Sequence, residues 1–338
     1  MRIGYSVEGK EAEGGFGQSI RIDQEDVYRD APSEQIQQMV DEVKKGKNWR
    51  SVVEESVDNQ WLKKIILNDS RNIFLKLLEL QSDSLCLDIG AGWGQHTLDL
   101  LKEVHVCSVE PSPERFSFME AVIAQLELSQ KAFLVNARLE DLKFKKQFHA
   151  AVSVGVLEYV GKYQKNESVW IAQKNFLQQI RESLLPGGAL IVGIENRLGL
   201  KYLLGKRDDH LCVPNIACHE FSLAKEKWLQ HSGEELDIAT YNLNEYCELF
   251  AEAGFSRLDV YAAFPDYKLP KYIIKCHSTE EEVDLHYEDF GYVEEHDGVD
   301  GSLLDVNQEL NSFYKDFSSL GILKHFAPSY FIKASTGA

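Results

Sequence analysis

Leu85-Cys86-Leu87-Asp88-Ile89-Gly90-Ala91-Gly92-Trp93-Gly94-Gln95-His96-Thr97 is the stretch that decides how this chain reads. Five residues of buried-strand character, Leu85–Ile89, run directly into three glycines and then into a helix starting at Gln95. Glycine lets a backbone turn tightly and lets a ligand come close, and amides at a helix N-terminus then face that ligand. A ligand cradle follows from this context. A bare strand-to-helix turn would use the same glycines, and the strand immediately before them favours the cradle.

Two residues separate the candidate ligands. A dinucleotide fingerprint needs its third glycine at position 95, where Gln95 stands, and the spacing is instead Gly-x-Gly-x-Gly. Asp88 opposes a pyrophosphate and suits a ligand with positive charge. S-adenosylmethionine, with an ammonium, a sulfonium and no phosphate, meets both conditions. The next strand, His105–Val109, ends in Glu110-Pro111-Ser112, about 20 residues beyond the loop, where α/β nucleoside sites carry an acidic residue. Glu110 there can accept both ribose hydroxyls, or it can serve as a surface carboxylate capping the helix that begins near Pro113.

Working outward, apolar runs alternate with amphipathic stretches. Strands are expected at Ala132–Val135, His149–Val154, Ala189–Ile194, Arg257–Phe264 and Ser329–Ala334, with helices from Gln95 and Pro113 and another over Ser168–Leu185. The last of these should end in Leu-Pro-Gly-Gly, with Gly187 in the left-handed helix-ending conformation. Asn242 should cap a helix that Gly254 closes. Seven strands with crossover helices predict a doubly wound, Rossmann-like α/β fold with insertions after strands five and six. The expected divisions are a polar, mobile arm and helical lead-in over 1–70, a cofactor-binding core over 71–200, an acceptor-side insertion over 201–240, and the rest of the sheet over 241–338, including an acidic excursion over 280–316.

In family order, Asp88-x-Gly90-x-Gly92-x-Gly94, Glu110, Arg138-Leu139-Glu140-Asp141, Gly155-Val156-Leu157-Glu158-Tyr159 and Leu185-Pro186-Gly187-Gly188 resemble the class I S-adenosylmethionine-dependent methyltransferases, over roughly residues 70 to 265. The resemblance implies that the seven strands form that family's sheet. It also implies that Asp88, Gly90, Ala91, Gly92, Gly94, Glu110 and Pro111 hold the cofactor, that Leu139 and Glu140 border its adenine, and that Gly155, Leu157 and Glu158 line its methionine side. One departure is Phe148-His149, where the fourth strand of the family usually begins with an apolar residue followed by Asp.

The acceptor should lie outside the carboxyl ends of strands four to six. There the chain carries Glu195-Asn196-Arg197-Leu198-Gly199-Leu200-Lys201-Tyr202, then Asp208-Asp209-His210, and later Phe264-Pro265-Asp266-Tyr267-Lys268. Two of these runs resemble a bacterial subgroup found with surface-polysaccharide and glycan assembly, which implies a sugar hydroxyl as acceptor. His210 has the titration range of a base, Asp209 is a neighbouring carboxylate to orient it, and Glu195 is the other candidate base. Asn196 and Arg197 are expected to hydrogen-bond the acceptor, and Tyr159, Tyr202 and Tyr267 to stack on it. Isolated residues of these kinds also serve as ion-pair and core residues.

With 36 Lys+Arg against 54 Asp+Glu the net charge is −18, which repels a polyphosphate and makes nucleic acid an unfavourable partner. No run approaches the ~20 apolar residues of a membrane span, no signal peptide is recognisable, and six scattered cysteines read as reduced thiols, so a cytoplasmic protein acting on a small-molecule or glycan acceptor is expected. His210-x-Cys212 with Cys218-His219 matches no compact zinc spacing, and no metal is expected. The competing functions are a non-catalytic S-adenosylmethionine-binding scaffold, a methyltransferase acting on RNA or protein, and a nicotinamide-dependent oxidoreductase, the last disfavoured by Gln95 and Asp88. Oligomeric state is open.

Overall fold

A tight hairpin begins the chain. Strands β1 (Arg2–Val7) and β2 (Lys10–Gly15) pair antiparallel from Val7↔Lys10 to Arg2↔Gly15. Glu8 and Gly9 both have positive φ, 49° and 78°, as a two-residue turn matching the twist of its strands requires. In the computed structural model, which describes residues 2–22, 30–163, 167–276 and 303–337, the chain divides into two compact units.

The first unit comprises residues 1–154, 178–191 and 335–338. Its N-terminal 21 residues correct the expectation of a mobile arm. Ile3 and Tyr5 alternate inward, β1 finds a second antiparallel partner in β7 (Leu142–Phe144), and β3 (Ser19–Arg21) pairs parallel with β6 (Ala132–Asn136). Polar composition concealed these strands: β2 pairs with its neighbour β1, while β1 and β3 take partners more than 100 residues away. Gly14 is required here, since a Cβ at that position would sit 2.2 Å from the Phe133 ring.

The lead-in folds as α1 (Ser33–Lys44), α2 (Trp49–Ser56) and α3 (Gln60–Leu67), followed by a 3-10 stretch over Asp69–Leu77. Asn48 and Asn59 cap α2 and α3 by accepting backbone N–H groups with their side chains. Then β4 (Leu85–Ile89), α4 (Gln95–Glu103), β5 (His105–Val109), α5 (Pro113–Gln125), β6, β7 and β8 (Phe148–Val154) follow. β4 pairs parallel with β5 and with β8, and β5 with β6. All five residues of β4 are buried, as expected of a parallel strand covered on both faces.

Helix α6 (Val169–Ser183) and strand β9 (Leu184–Glu195) each give residues to both units. Leu185-Pro-Gly-Gly belongs to β9 and does not terminate the helix, which ends at Ser183. The Ser183 carbonyl accepts from Gln147 N (2.9 Å) and the Gly188 carbonyl from Thr336 N (3.0 Å), so long-range pairing captures this backbone as strand. Gly187 is left-handed as expected (φ 75°), but inside the strand.

The second unit comprises residues 155–177 and 192–334. It carries α7 (Leu200–Leu203), α8 (Phe221–Ser232), α9 (Leu243–Glu252), β10 (Arg257–Phe264), β11 (Tyr272–Lys275), α10 (Leu303–Ser319), α11 (Leu323–Phe326) and β12 (Ser329–Ser335). Asn242 caps α9 in a reciprocal capping box with Glu245, and Gly254 closes it at φ 86°. β10 ends at a cis Phe264–Pro265 bond, which turns the chain into Asp266-Tyr267-Lys268. The acidic excursion expected over 280–316 falls largely on residues 277–302, outside the described residues.

Strand order is β3-β6-β5-β4-β8-β9 on the side of the first unit and β9-β12-β10-β11 on that of the second. The seven expected strands are β4, β5, β6, β8, β9, β10 and β12. Through the shared β9 they stand in the order third, second, first, fourth, fifth, seventh, sixth. That is the doubly wound, Rossmann-like sheet of the class I methyltransferases, with β3 and β11 added at its edges.

Candidate functional site

In the first unit the glycine loop is pinned at its base and open at its crest. Gly90 N and Ala91 N both donate to the Val109 carbonyl, at 2.8 and 3.1 Å, and Gly94 N donates to Ala91 O at 2.9 Å. Gly90, Gly92 and Gly94 have φ of 68°, 58° and 87°, conformations that side chains rarely adopt. A Cβ at Gly94 would lie 2.8 Å from Met119, so that glycine answers to packing. At Gly92 only the Gly90 carbonyl lies within 4 Å of such an atom, at 3.9 Å, so that glycine faces open space a ligand can enter.

Asp88 is 1% exposed and does not face that space as a free carboxylate. It accepts from Thr97 Oγ1 at 2.5 Å, and Thr97 Oγ1 also meets Ser108 Oγ at 2.8 Å. Burial raises its pKa to about 7 against the lowering effect of the Thr97 hydrogen bond. Asp88 thus ties the loop to α4 and β5, a role invisible without Thr97 and Ser108.

Glu110 lies at the tip of β5, its carboxylate fully committed. Oε2 accepts from Gly92 N (2.7 Å), and Oε1 accepts from Ser112 N (2.9 Å) and faces Arg115 Nη2 (3.1 Å). Arg115 also lies 3.6 Å from Asp30, which accepts from Trp93 Nε1 at 3.0 Å. Asn136 donates to the carbonyls of Glu110 and Pro111 (2.8 and 3.0 Å), fixing this corner. A ribose diol would exchange with Gly92 N–H or Arg115 for the same two oxygens. Leu139 and Glu140 form a 3-10 turn whose Leu139 carbonyl accepts from Gln179 at 2.6 Å, and burial raises the Glu140 pKa. Thr97, Arg115, Asn136 and Gln179 were not found from sequence, because nothing in their local pattern marks them.

In the second unit three segments of low sequence proximity bring their charges together. Glu158 lies in the 3-10 stretch Leu157–Tyr163, Glu195 at the end of β9, and His210 after α7; one ligand atom from each lies within 4.8 Å of the others. His210 Nε2 is 3.4 Å from Glu195 Oε2, and His210 Nδ1 is 3.0 Å from the Tyr159 hydroxyl, whose ring meets the imidazole edge-on at 5.2 Å. Both carboxylate oxygens of Glu158, Glu195 Oε2 and His210 Nε2 are buried and make no hydrogen bond.

Around them runs a ring of lysines and aspartates. Lys268 Nζ donates to Glu195 Oε1 (2.5 Å) and Asp209 Oδ2 (2.7 Å), Lys201 Nζ to Asp266 Oδ2 (2.7 Å), and Lys206 Nζ lies 3.3 Å from Asp209 Oδ1. Asp209 therefore faces lysines, and the carboxylate beside His210 is Glu195. Asp208 holds the loop by accepting from the backbone of His210 and Leu211 at 2.9 and 2.8 Å.

These contacts set the protonation states. Burial, then the neighbouring Glu195, raises Glu158 to about 8. Burial alone would lower His210, but Glu195, followed by Glu158 and Asp208, raises it to about 10, so the imidazole is cationic at neutral pH. Burial opposes ionisation of Glu195 as well, yet Lys268 and His210 hold it below the usual carboxylate range. For Lys268 burial is outweighed by Asp209 and Glu195, which keep it charged.

The other expected acceptor residues divide. Tyr267 is 1% exposed, with its hydroxyl 3.0 Å from where a Cβ on Gly155 would stand and Lys268 Nζ 5.0 Å from its ring centroid. Tyr202 is buried with Lys201 Nζ over its ring at 4.9 Å. Leu157 is buried in the same unit, and its carbonyl accepts from Gln173 at 2.8 Å. Asn196 and Arg197 are instead bound into the scaffold. Asn196 donates to the carbonyls of His325 and Ala327 (2.9 and 2.8 Å), and Arg197 makes a two-pronged pair with Glu245 (2.8 and 2.9 Å) and donates to Cys218 O.

Comparison with known proteins gives a partial family match and distant structural likenesses. The family model for mycolic acid cyclopropane synthetase matches residues 59–195, less than half of the chain. No curated protein sequence matches. Among solved structures, a possible histamine N-methyltransferase from Thermotoga maritima is similar at 17% identity, with 82% of this chain and 95% of that one covered and a TM-score of 0.43. A phosphoethanolamine N-methyltransferase from Haemonchus contortus, in complex with S-adenosylmethionine, is similar at 13% identity over 89% of this chain and 60% of that one, with a TM-score of 0.46. A methyltransferase from Methanosarcina mazei shows 17% identity over 76% and 94%, with a TM-score of 0.43. At these identities the likenesses say nothing of substrate. Strand order, the open crest at Gly92 and the buried acid at the tip of β5 match the architecture of the class I methyltransferase fold. Among the described residues no helix is long and apolar enough to cross a membrane.

Proposed function

We propose that this enzyme O-methylates a saccharide or a similar polar, hydroxyl-bearing metabolite. The observation that carries the reading is the buried group of Glu158, Glu195 and His210, whose oxygens and nitrogen converge within 4.8 Å and, once Glu158 and His210 give up their protons, offer a hydroxyl several proton acceptors. The cofactor supplies an electrophilic methyl group on a sulfonium that leaves readily, so orienting and deprotonating the nucleophile is the protein's share of the chemistry.

In this reading His210 and Glu195 act as one proton-accepting pair. Tyr159 fixes the imidazole by its contact with Nδ1, which directs Nε2 to the reacting hydroxyl. Lys268 neutralises Glu195 and joins it to Asp209, which acts as a positioning residue. Tyr159 supplies ring surface of the kind that packs on a sugar face, while Tyr202 and Tyr267 are buried under Lys201 and Lys268. Asn196 and Arg197 hold the segment in place and do not touch the acceptor. In the first unit, Glu110, Gly92 and the Leu139–Asp141 turn hold the cofactor. A cytoplasmic setting suits six unpaired cysteines.

The test is turnover of labelled S-adenosylmethionine on a panel of saccharides and polar metabolites, with mass spectrometry of the products. A methyl ether on a sugar hydroxyl supports the reading; cofactor binding without turnover across the panel, or methylation confined to nitrogen, RNA or protein, overturns it. His210→Ala should lower turnover at least 100-fold and leave cofactor affinity unchanged. Because His210 is held near 10, wild-type turnover should rise with pH across the range from 7 to 10.

A further inference from the structure

We infer that Glu158, Glu195 and His210 form a binding site for one divalent first-row transition-metal ion. The inference goes beyond the proposed methylation and stands on the cluster's geometry; a bound ion would occupy the lone pairs that take the hydroxyl proton in that reading, so the two occupancies alternate and do not coincide.

Four observations meet here. Glu158 Oε1 and Oε2 have no hydrogen-bond partner, and Glu195 Oε2 and His210 Nε2 face only each other, at 3.4 Å; all four are ligand atoms by type. Glu158 and Glu195 are each 1% exposed and the His210 side chain 4%, so bulk solvent does not satisfy them. Leaving such groups empty is costly, and one ion would satisfy all three at once.

The surrounding contacts orient each ligand. His210 meets Tyr159 through Nδ1, so an Nδ1–H donated to the phenol oxygen leaves the Nε2 lone pair pointing inward, the arrangement by which second partners fix metal-binding imidazoles. Glu195 is held through Oε1 by Lys268, which leaves Oε2 for the ion.

Charge points to the same conclusion. Lys201, Lys206 and Lys268 are matched in number by Asp208, Asp209 and Asp266 in the same cluster, and the described contacts pair each of these lysines with Asp209 or Asp266. By number Glu158 and Glu195 remain beside one imidazole, with Lys268 shared between Asp209 and Glu195. A dication balances the two carboxylates with the imidazole neutral. Without it, the cluster balances by keeping protons on Glu158 and His210.

One nitrogen and two or three oxygens suit manganese, iron or zinc better than calcium or magnesium, which prefer all-oxygen shells. The pairwise limit of 4.8 Å and the 3.4 Å between Nε2 and Glu195 Oε2 are spans that a common ion about 2.1 Å from each ligand can bridge with small side-chain adjustments. A cavity of about 20 Å³, roughly the room one water needs, is bordered by His210 together with Asp208, His219 and Ile238. The site differs from the His210-x-Cys212 and Cys218-His219 grouping weighed from sequence; of those four residues only His210 takes part.

The test is titration of the full chain with Mn²⁺, free ion being read by its paramagnetic resonance signal, followed by displacement with Zn²⁺. Binding of one Mn²⁺ per chain is expected, with affinity at least tenfold weaker in Glu158→Gln and about tenfold weaker in Tyr159→Phe, which keeps all three ligands but frees the imidazole. Circular dichroism confirms folding, and Tyr159→Phe carries the test if Glu158→Gln does not fold. A wild-type chain that leaves the signal of millimolar Mn²⁺ unchanged, or variants that bind as the wild type does, overturns the inference. Absence of Mn²⁺ binding would leave the proton-accepting role standing, and absence of sugar methylation would leave the binding result intact.

Discussion

The glycine loop and the carboxylate–histidine cluster solve opposite physical problems. The loop makes its site from main chain: its three glycines turn the backbone so that Gly92 faces open space, and the acidic partner Glu110 follows after one helix and one strand. The cluster makes its site from side chains of residues 158, 195, 201, 206, 208–210, 266 and 268, nearly all buried, where each charge is tolerated only because another compensates it. A backbone site depends on conformation at a single position. A charge cluster depends on every member, so removing one partner exposes the desolvation cost of the rest.

The largest effect should therefore come from the cluster. Lys268→Met removes the cation shared by Glu195 and Asp209, leaving them His210 and Lys206 as remaining partners, and a loss of about 3–5 kcal/mol is expected in urea denaturation. An unchanged unfolding midpoint would mean that the lysine carries no such burden. Next is Gly92→Val, which forces a side chain into φ 58° and into the open crest. Calorimetry should show at least a 100-fold loss of S-adenosylmethionine affinity, about 2.7 kcal/mol, with the cluster's stability intact. Affinity equal to wild type would remove the crest as the cofactor contact.

The two regions should also share one pH signature. Burial raises Asp88 from 3.8 to about 7 and Glu158 from 4.5 to about 8, so the folded state holds both protons more tightly than the unfolded chain. Stability should then decline as pH rises from about 4 towards 7 and 8 respectively. His210, raised from 6.5 to about 10, contributes fully below 6.5 and loses its contribution as pH climbs through 10. Glu195 acts the other way, contributing above its ordinary pKa and losing its contribution in acid. Denaturation midpoints measured from pH 5 to 9 should fall with pH. Asp88→Asn should flatten the part below 7 and Glu158→Gln the part up to 8; parallel curves for all three proteins would sink this account. The smallest effect is Asn242→Ala, expected to cost about 1 kcal/mol by opening the capping box of α9 without altering cofactor affinity.

Legibility followed locality. Leu85–Ile89 and His105–Val109 were readable to the residue because apolar runs and glycines are local signals, and Asn242 with Gly254 marked a helix by adjacent cap chemistry. The N-terminal hairpin was missed although its Glu8-Gly9 turn is local, because its polar strands lack an apolar run and β1 packs on the distant β7, and Leu-Pro-Gly-Gly misled because pairing with Gln147 and Thr336 outweighed its helix-stopping composition. His210, Glu195, Glu158 and Tyr159 were each named from sequence, but Asp209 was set beside His210 by adjacency in the chain. The fold sends it to Lys268 and puts Glu195 there.

By itself, then, the sequence determined the doubly wound α/β framework, the glycine cradle and the acidic tip at Glu110, because periodicity and backbone conformation are fixed within a few residues. Only tertiary structure decided which charges are paired, which atoms are left free, and that Asn196 and Arg197 brace the scaffold while Glu158, Glu195 and His210 converge. Pairing and desolvation depend on distances between residues far apart in the chain, which no spacing along the sequence encodes.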